Sequence, residues 1–153
     1  MSGDFLDEAG IRRLMQHAHG MVFWQAVEAW DERQIRCRTH THREADHPLR
    51  RGGQLSSIHL GEYGAQLMAI HGALLAQKLT GGRLAPGVLT SLRDFEMTGA
   101  DLAEVALPLT GTATTLVSGV SGSIYEFEIR AAAQRLASGR ISVMTLPPHS
   151  GAR

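Results

Sequence analysis

Hydrophobic and polar positions alternate with a period of two over most of the second half of the chain. Tyr125, Phe127 and Ile129 are separated by charged residues, which is typical of a strand with one buried and one solvated face. Runs of this type, separated by breaks rich in Gly, Asp or Ser, predict four successive strands. These strands cover residues 88–97, 107–118, 123–132 and 135–146.

The first half of the chain predicts a short helix, two strands and a long loop. Residues 4–16 have amphipathic spacing with early acids, which favours a helix. The aromatic run 21–30 and the alternating run 34–42 predict two strands, the second with a polar outer face. Residues 43–57 have no period and contain His-Pro and Gly-Gly pairs, so they form a loop.

Residues 58–79 have helical composition, with small residues on several faces. A glycine inside a helix costs about 1 kcal/mol relative to alanine, yet Gly61, Gly64 and Gly72 all fall within this segment. They indicate that another element, such as a sheet curled around the helix, approaches its backbone closely. Two strands, one long helix and four further strands give an α+β order in a single domain over residues 1–153.

Composition narrows the classes of function. The 15 Lys and Arg balance the 15 Asp and Glu, so there is no electrostatic case for nucleic acid as the main partner. Cys37 is the only cysteine, which excludes an intrachain disulfide. No metal site is expected, because His17 and His19 lack a suitably spaced acidic third ligand. The acidic start and the absence of an apolar span predict a cytoplasmic protein.

The candidate catalytic residues lie within positions 46–66. His59, Glu62 and Gln66 are spaced i, i+3 and i+7 and so share one helix face. Burial among small and apolar neighbours would favour the uncharged form of the Glu62 carboxyl, which suits general acid–base work. Gln66 could orient that carboxyl, and His47 in the loop could join the site from its own or a partner subunit.

Structural roles compete with these catalytic ones. Glu62 could serve the dipole and the cap at the first helical turn, and His59 could simply begin the helix. His71, in the middle of the helix, is expected to be a satisfied core histidine. His40 and His42 alternate outward on the predicted strand, so both are expected to be solvated.

Three short motifs give a family resemblance from about residue 11 to 147. Residues 62–66 (EYGAQ) resemble the E-x-x-A-Q motif of the hot-dog-fold 3-hydroxyacyl-[acyl-carrier-protein] dehydratases. Residues 14–23 are similar to the L-x-P-H-R-x-P-M/F-L-L segment of that family, with Gln16 and Ala18 in place of Pro and Arg. Residues 47–55 (HPLRRGGQL) are similar to the H/S-P-L/F-x-x-x-G-x-L-P loop of the aryl-polyene pigment branch, whereas the usual G-H-F-P-x-x-P loop is absent.

The resemblance implies a hot-dog fold, in which an antiparallel sheet wraps a long central helix, and a homodimer whose sheets join edge to edge. It implies dehydration of a 3-hydroxyacyl thioester to the trans-2-enoyl form without a bound cofactor. The acyl group would be carried on the phosphopantetheine of an acyl carrier protein or on CoA. Thioester hydrolysis on the same fold and a non-catalytic acyl-binding role remain alternatives.

The resemblance also implies residue roles. Glu62 matches the helix carboxylate that handles the departing β-hydroxyl, and Gln66 matches its hydrogen-bonding partner. For the histidine that acts on the α-proton, His47 is the nearest match, with His59 and His17 as other candidates. A main-chain N–H near the start of the helix, at Gly61, would bind the thioester carbonyl.

Four arginines flank the long helix. They could receive the phosphate or an acidic carrier protein, or they could form only a solvated basic rim. These residues are Arg43, Arg50, Arg51 and Arg83.

Overall fold

The computed structural model describes residues 6–15, 22–80 and 87–145. Its six strands form one antiparallel sheet in the order β1-β2-β4-β5-β6-β3. The chain runs through α1 (Glu8–Leu14), β1 (Ala26–Trp30), β2 (Gln34–Thr39), α2 (Leu60–Thr80), β3 (Gly87–Met97), β4 (Leu109–Gly119), β5 (Gly122–Ala131) and β6 (Gln134–Thr145). This is the hot-dog fold implied by the resemblance, with α2 as its central helix.

The sheet approaches the backbone of α2 closely, as the glycine content predicts. A Cβ at Gly64 would lie 2.6 Å from Cε2 of Phe127, a separation that real Cβ atoms essentially never show. A Cβ at Gly61 would lie 3.2 Å from Cδ2 of Leu92, the flexible end of a side chain. Gly64 is therefore the position where the sheet excludes any larger side chain.

The core lies between α2 and the inner face of the sheet. On β5, Tyr125, Phe127 and Ile129 are buried whereas Glu126 is exposed, which confirms the one-sided alternation. His71 of α2 is buried among them, with Nε2 2.7 Å from the carbonyl oxygen of Asp31 and Nδ1 bonded to the Tyr125 hydroxyl. His71 is thus a satisfied core histidine, as predicted, and burial lowers its pKa.

The predicted second strand ends early, and this changes the position of one histidine. β2 stops at Thr39, and Thr41–Arg43 form a 3₁₀ turn. His40 is exposed, as predicted, but the turn directs His42 inward, where its Nε2 lies 3.0 and 3.1 Å from the carbonyl oxygens of Val105 and Leu107. The prediction that His42 is solvated is wrong, because strand alternation does not continue into the turn.

The two edges of the sheet differ. The backbone of Leu6 pairs with Val27, which covers part of the β1 edge. Within the described ranges β3 pairs only with β6, and the register of that pair shifts near Asp94, whose φ is +52°. The outer edge of β3 therefore meets no other strand of the described residues. None of the helices in the described ranges is long and apolar enough to cross a membrane.

Candidate active site

A 3₁₀ turn, Ser57–His59, leads directly into α2 and brings two titratable side chains together. The Ser56 hydroxyl caps this turn by accepting a hydrogen bond from the Ile58 N–H at 3.2 Å. His59 Nδ1 lies 4.0 Å from Glu62 Oε1, and the two side chains are 26% and 58% exposed. The i, i+3 spacing thus produces an accessible imidazole–carboxyl pair at the start of the helix.

The exposure of Glu62 differs from the expectation that its neighbours bury it. Gly64, two residues on and therefore about 200° around the helix, is the position that meets Phe127 of the sheet. Glu62 lies away from that contact, with 58% of its side chain exposed. The described residues therefore leave most of the Glu62 side chain exposed, and the predicted burial is not seen among them.

Gln66 contacts the segment that leads into β1. Its Oε1 accepts a hydrogen bond from the Phe23 N–H at 2.8 Å. Nearby, the indole Nε1 of Trp24 donates to the carbonyl oxygen of Tyr63 at 2.9 Å. The Gln66 amide, predicted to orient Glu62, thus binds the backbone through its oxygen. The two bonds fasten residues 22–25 to the first two turns of α2.

His47 lies in a buried position against α2, with only 4% of its surface exposed. Its ring stacks on Phe23 with centroids 5.0 Å apart. Nδ1 accepts a hydrogen bond from the Leu49 N–H at 3.1 Å, and Nε2 lies 3.0 Å from Tyr63 Oη. Burial lowers the pKa of His47, and the neighbouring Arg50 and His59 side chains lower it further.

Tyr63 connects His47 to the end of β2. Its hydroxyl lies 3.0 Å from Thr41 Oγ1, which donates to the carbonyl oxygen of Phe23 at 2.8 Å. The Thr39 hydroxyl bonds to the same carbonyl. Burial raises the pKa of Tyr63 to about 12, so its hydroxyl stays protonated at neutral pH. Sequence reasoning missed this network, although Tyr63 stands inside the EYGAQ motif.

The remaining predicted site residues have different positions. Gly61 is half-buried in the first turn of α2 and faces β3, where a Cβ would lie 3.2 Å from Leu92 and 3.9 Å from the ring of Phe95. It therefore lies where the first turn of α2 meets β3. His17 falls outside the described residues.

The loop arginines bind backbone carbonyl groups. Arg43 donates to Ala103 O at 2.7 Å, and Arg51 donates to Pro48 O at 3.1 Å. Arg50 reaches three carbonyl oxygens, those of His42, Glu44 and Gly53. None of these three arginines forms an ion pair with a carboxylate of the described residues. Arg83 lies outside the described residues.

Comparison with solved structures supports the hot-dog assignment. The dehydratase heterocomplex ApeI:P from Xenorhabdus doucetiae matches with a TM-score of 0.77 at 18% identity, covering 90% of this chain and 91% of that chain. A thioesterase from Haemophilus influenzae matches with a TM-score of 0.60 at 14% identity, covering 97% and 96%. A mutant thioesterase from Pseudomonas aeruginosa matches with a TM-score of 0.59 at 12% identity, covering 96% of each chain. At these identities the likeness is one of fold.

Comparison of sequences, in addition to folds, identifies the family. No curated protein matches the chain in sequence. The model of the ApeP-like family, described as ApeP dehydratase, matches residues 9–151 and so includes the loop with His47 and the start of α2. Because this match spans nearly the whole chain, the protein belongs to the ApeP-like dehydratase family.

Proposed function

We propose that the protein takes part in dehydrating a 3-hydroxyacyl thioester to the trans-2-enoyl thioester during polyene biosynthesis. The observation that carries this proposal is the accessible pair of His59 and Glu62 at the start of α2, in a chain of a dehydratase family. The pair lies next to Gly61, which faces the open edge strand β3. A substrate bound over the first turn of α2 would meet both an imidazole and a carboxyl.

The reaction needs one group that removes a proton and one that supplies a proton. The thioester carbonyl makes the α-hydrogen acidic, so an imidazole can remove it as a general base. The β-hydroxyl is a poor leaving group until it is protonated, and a carboxyl group can supply that proton. Glu62 is positioned to supply the proton, and a histidine is the group that removes one.

A second hot-dog chain would complete the site. No other strand in the described part of the chain covers the outer edge of β3, and Leu92 and Met97 on this strand are exposed. An unpaired strand edge favours association with another strand. Pairing along β3 would cover the neighbouring face with Gly61 and Glu62 and remove water from it. The partner is a second copy, as in the homodimer implied by the resemblance, or a different hot-dog chain, as in the ApeI:P heterocomplex.

The substrate is carried on phosphopantetheine, either of an acyl carrier protein or of CoA. Arg43, Arg50 and Arg51 support this proposal, because carbonyl groups bind their guanidinium groups without neutralising the charge. Positively charged groups attract phosphate and acidic proteins, and salt weakens that attraction.

Thioester hydrolysis is the second candidate. The observation that favours it is the shared fold of the thioesterases from Haemophilus influenzae and Pseudomonas aeruginosa. In that reaction an exposed carboxylate such as Glu62 would direct a water molecule at the thioester carbonyl. Hydrolysis releases a free thiol, whereas dehydration and its reverse leave the thioester intact.

The product therefore decides between the two functions. The protein, alone and together with a candidate hot-dog partner chain, is incubated with a 3-hydroxyacyl thioester of an acyl carrier protein. The intact mass of the carrier and the released free thiol are then measured. The proposal predicts a loss of one water from the acyl chain and no thiol release. Thiol release without the enoyl product would establish hydrolysis instead.

A further inference from the structure

Both ring nitrogens of His47 form hydrogen bonds within the same chain. Nδ1 accepts a hydrogen bond from the Leu49 N–H at 3.1 Å, and Nε2 lies 3.0 Å from the Tyr63 hydroxyl. A neutral imidazole has one protonated and one unprotonated nitrogen. Because a backbone N–H can only donate, Nδ1 is the unprotonated nitrogen. The proton is therefore on Nε2, which donates to Tyr63.

The hydrogen bonds beyond Tyr63 run in the same direction. With its oxygen accepting from His47, Tyr63 donates its hydroxyl proton to Thr41 Oγ1 at 3.0 Å. Thr41 in turn donates to the Phe23 carbonyl at 2.8 Å. A carbonyl oxygen can only accept, so the Phe23 carbonyl fixes the direction of the hydrogen bonds at one end of the series. The Leu49 N–H fixes it at the other end. Buried series of this kind reinforce each other and hold a single arrangement of protons.

This arrangement is unsuited to a general base. A base must present an unprotonated nitrogen to the proton that it removes. In neutral His47 that nitrogen is bonded to the Leu49 N–H, and the ring is 4% exposed and stacked on Phe23. The imidazole of His59, by contrast, is 26% exposed and lies 4.0 Å from Glu62.

We propose that His47 and Tyr63 are positioning residues and that His59 is the histidine that takes the α-proton. This assignment rests on the proposed dehydration. His47 holds the loop of residues 43–56 against the first turn of α2 through Tyr63. The same loop runs into the 3₁₀ turn Ser57–His59, so the series fixes the backbone that carries His59 and Glu62.

The proposed step conserves atoms and protons. Neutral His59 takes the proton from C2, the electrons of that C–H bond form the C2=C3 double bond, and the C3–O bond breaks. The protonated carboxyl of Glu62 supplies a proton to the departing hydroxyl, which leaves as water. His59 is then protonated and Glu62 ionised, and exchange of protons with solvent restores the starting state of both side chains.

The tautomer of His47 can be measured without any assay of activity. Long-range ¹H–¹⁵N correlation spectra of the ¹⁵N-histidine-labelled full chain distinguish the two tautomers, and His47→Gln assigns the signal. The proposal predicts the Nε2–H pattern for His47 near pH 8. Tyr63→Phe removes the hydroxyl that accepts from Nε2 but leaves the Leu49 N–H on Nδ1, so it should keep the Nε2–H tautomer while shifting the Nε2 resonance. An Nδ1–H pattern in the wild-type chain would overturn the proposal.

A matched pair of variants tests the catalytic assignment. The amide of His47→Gln can still donate a hydrogen bond to Tyr63 but cannot act as a base. The amide of His59→Gln likewise cannot act as a base. We expect His47→Gln to keep turnover within about tenfold of wild type and His59→Gln to lose about 10²–10⁴-fold, the usual contribution of a base. A melting curve for each variant separates lost folding from lost chemistry.

Tyr63→Phe gives a second measurement if His47→Gln fails to fold. Because His59 is unchanged, the pH profile of kcat/KM should match wild type while kcat falls. A displaced profile, or a His47→Gln variant that folds and is inactive beside an active His59→Gln, would overturn the proposal. A wild-type chain that shows the Nε2–H tautomer but no dehydration with either partner would instead contradict the proposed function.

Discussion

Glu62 and Tyr63 are adjacent in the chain, yet α2 directs their side chains to different environments. The Glu62 side chain is 58% exposed, whereas Tyr63 is fully buried and bonded to His47 and Thr41. Successive residues of a helix lie about 100° apart, so one motif supplies both a reactive surface group and a buried anchor. The anchor holds the loop, and the surface group is left for a substrate and a second chain to cover.

Assembly gives the first prediction. If the chain pairs along β3, its mass in solution is twice that of one chain, and Leu92→Arg on this edge should shift it toward the monomer. A charged side chain opposes burial in an interface. Leu79→Arg, near the far end of α2, is the control, since Leu79 is also exposed. Light scattering measures the mass of all three. A monomeric wild-type chain that dimerises only with another hot-dog chain would favour the heteromeric assembly.

Packing at Gly64 gives the second prediction. A methyl group there would meet three atoms of the Phe127 ring at 2.6 to 2.7 Å, so Gly64→Ala should destabilise the fold by about 1–3 kcal/mol. Gly61→Ala is the matched variant, because its methyl group meets the flexible end of Leu92 and touches the Phe95 ring only at an ordinary contact distance. It also gains up to about 1 kcal/mol of helix propensity. Urea denaturation compares the two. Equal stability of both variants would contradict the close contact.

Stability should depend on pH in a defined direction. Burial lowers the pKa of His42, His47 and His71 below the ordinary value of about 6.5. Between the lowered pKa values and 6.5, the unfolded chain binds more protons than the folded chain, so stability rises with pH. We therefore expect a constant free energy of unfolding between about pH 7 and 8 and a progressive loss as the pH falls below about 6.5. Stability that is unchanged or greater at pH 5.5 would contradict the buried neutral histidines.

Local patterns predicted most of the fold. Alternation gave β3 to β6, and helical composition gave α2, all with ends within two residues of those observed. The glycines of α2 predicted the approach of the sheet, which Gly64 confirms. These features are set by neighbours in the chain, and their period or composition is visible in the sequence.

The candidate site was less predictable, because it depends on contacts between distant residues. Small residues occur on several faces of α2, so the sequence did not reveal that Gly64 rather than Glu62 faces the sheet. His42 turned inward where strand alternation ended at Thr39. The bond between His47 and Tyr63 joins residues 16 positions apart, and only the folded loop shows it.

The dehydratase account depends most directly on Glu62. Glu62→Gln keeps the shape of the side chain and a hydrogen-bonding group but cannot exchange a proton. Because the side chain is exposed, its replacement should change the free energy of unfolding by less than about 0.5 kcal/mol. Glu126→Gln, on the outer face of β5, is the matched control for loss of a surface carboxylate.

The decisive measurement is the rate at which the assembled protein interconverts 3-hydroxyacyl and enoyl thioesters, followed by the ultraviolet absorbance of the enoyl group. We predict that Glu62→Gln folds normally and loses about 10²–10⁴-fold in turnover, the usual contribution of a positioned acid or base, whereas Glu126→Gln retains wild-type turnover. Retained turnover in a folded Glu62→Gln variant would contradict the assignment of this carboxyl and the account built on it.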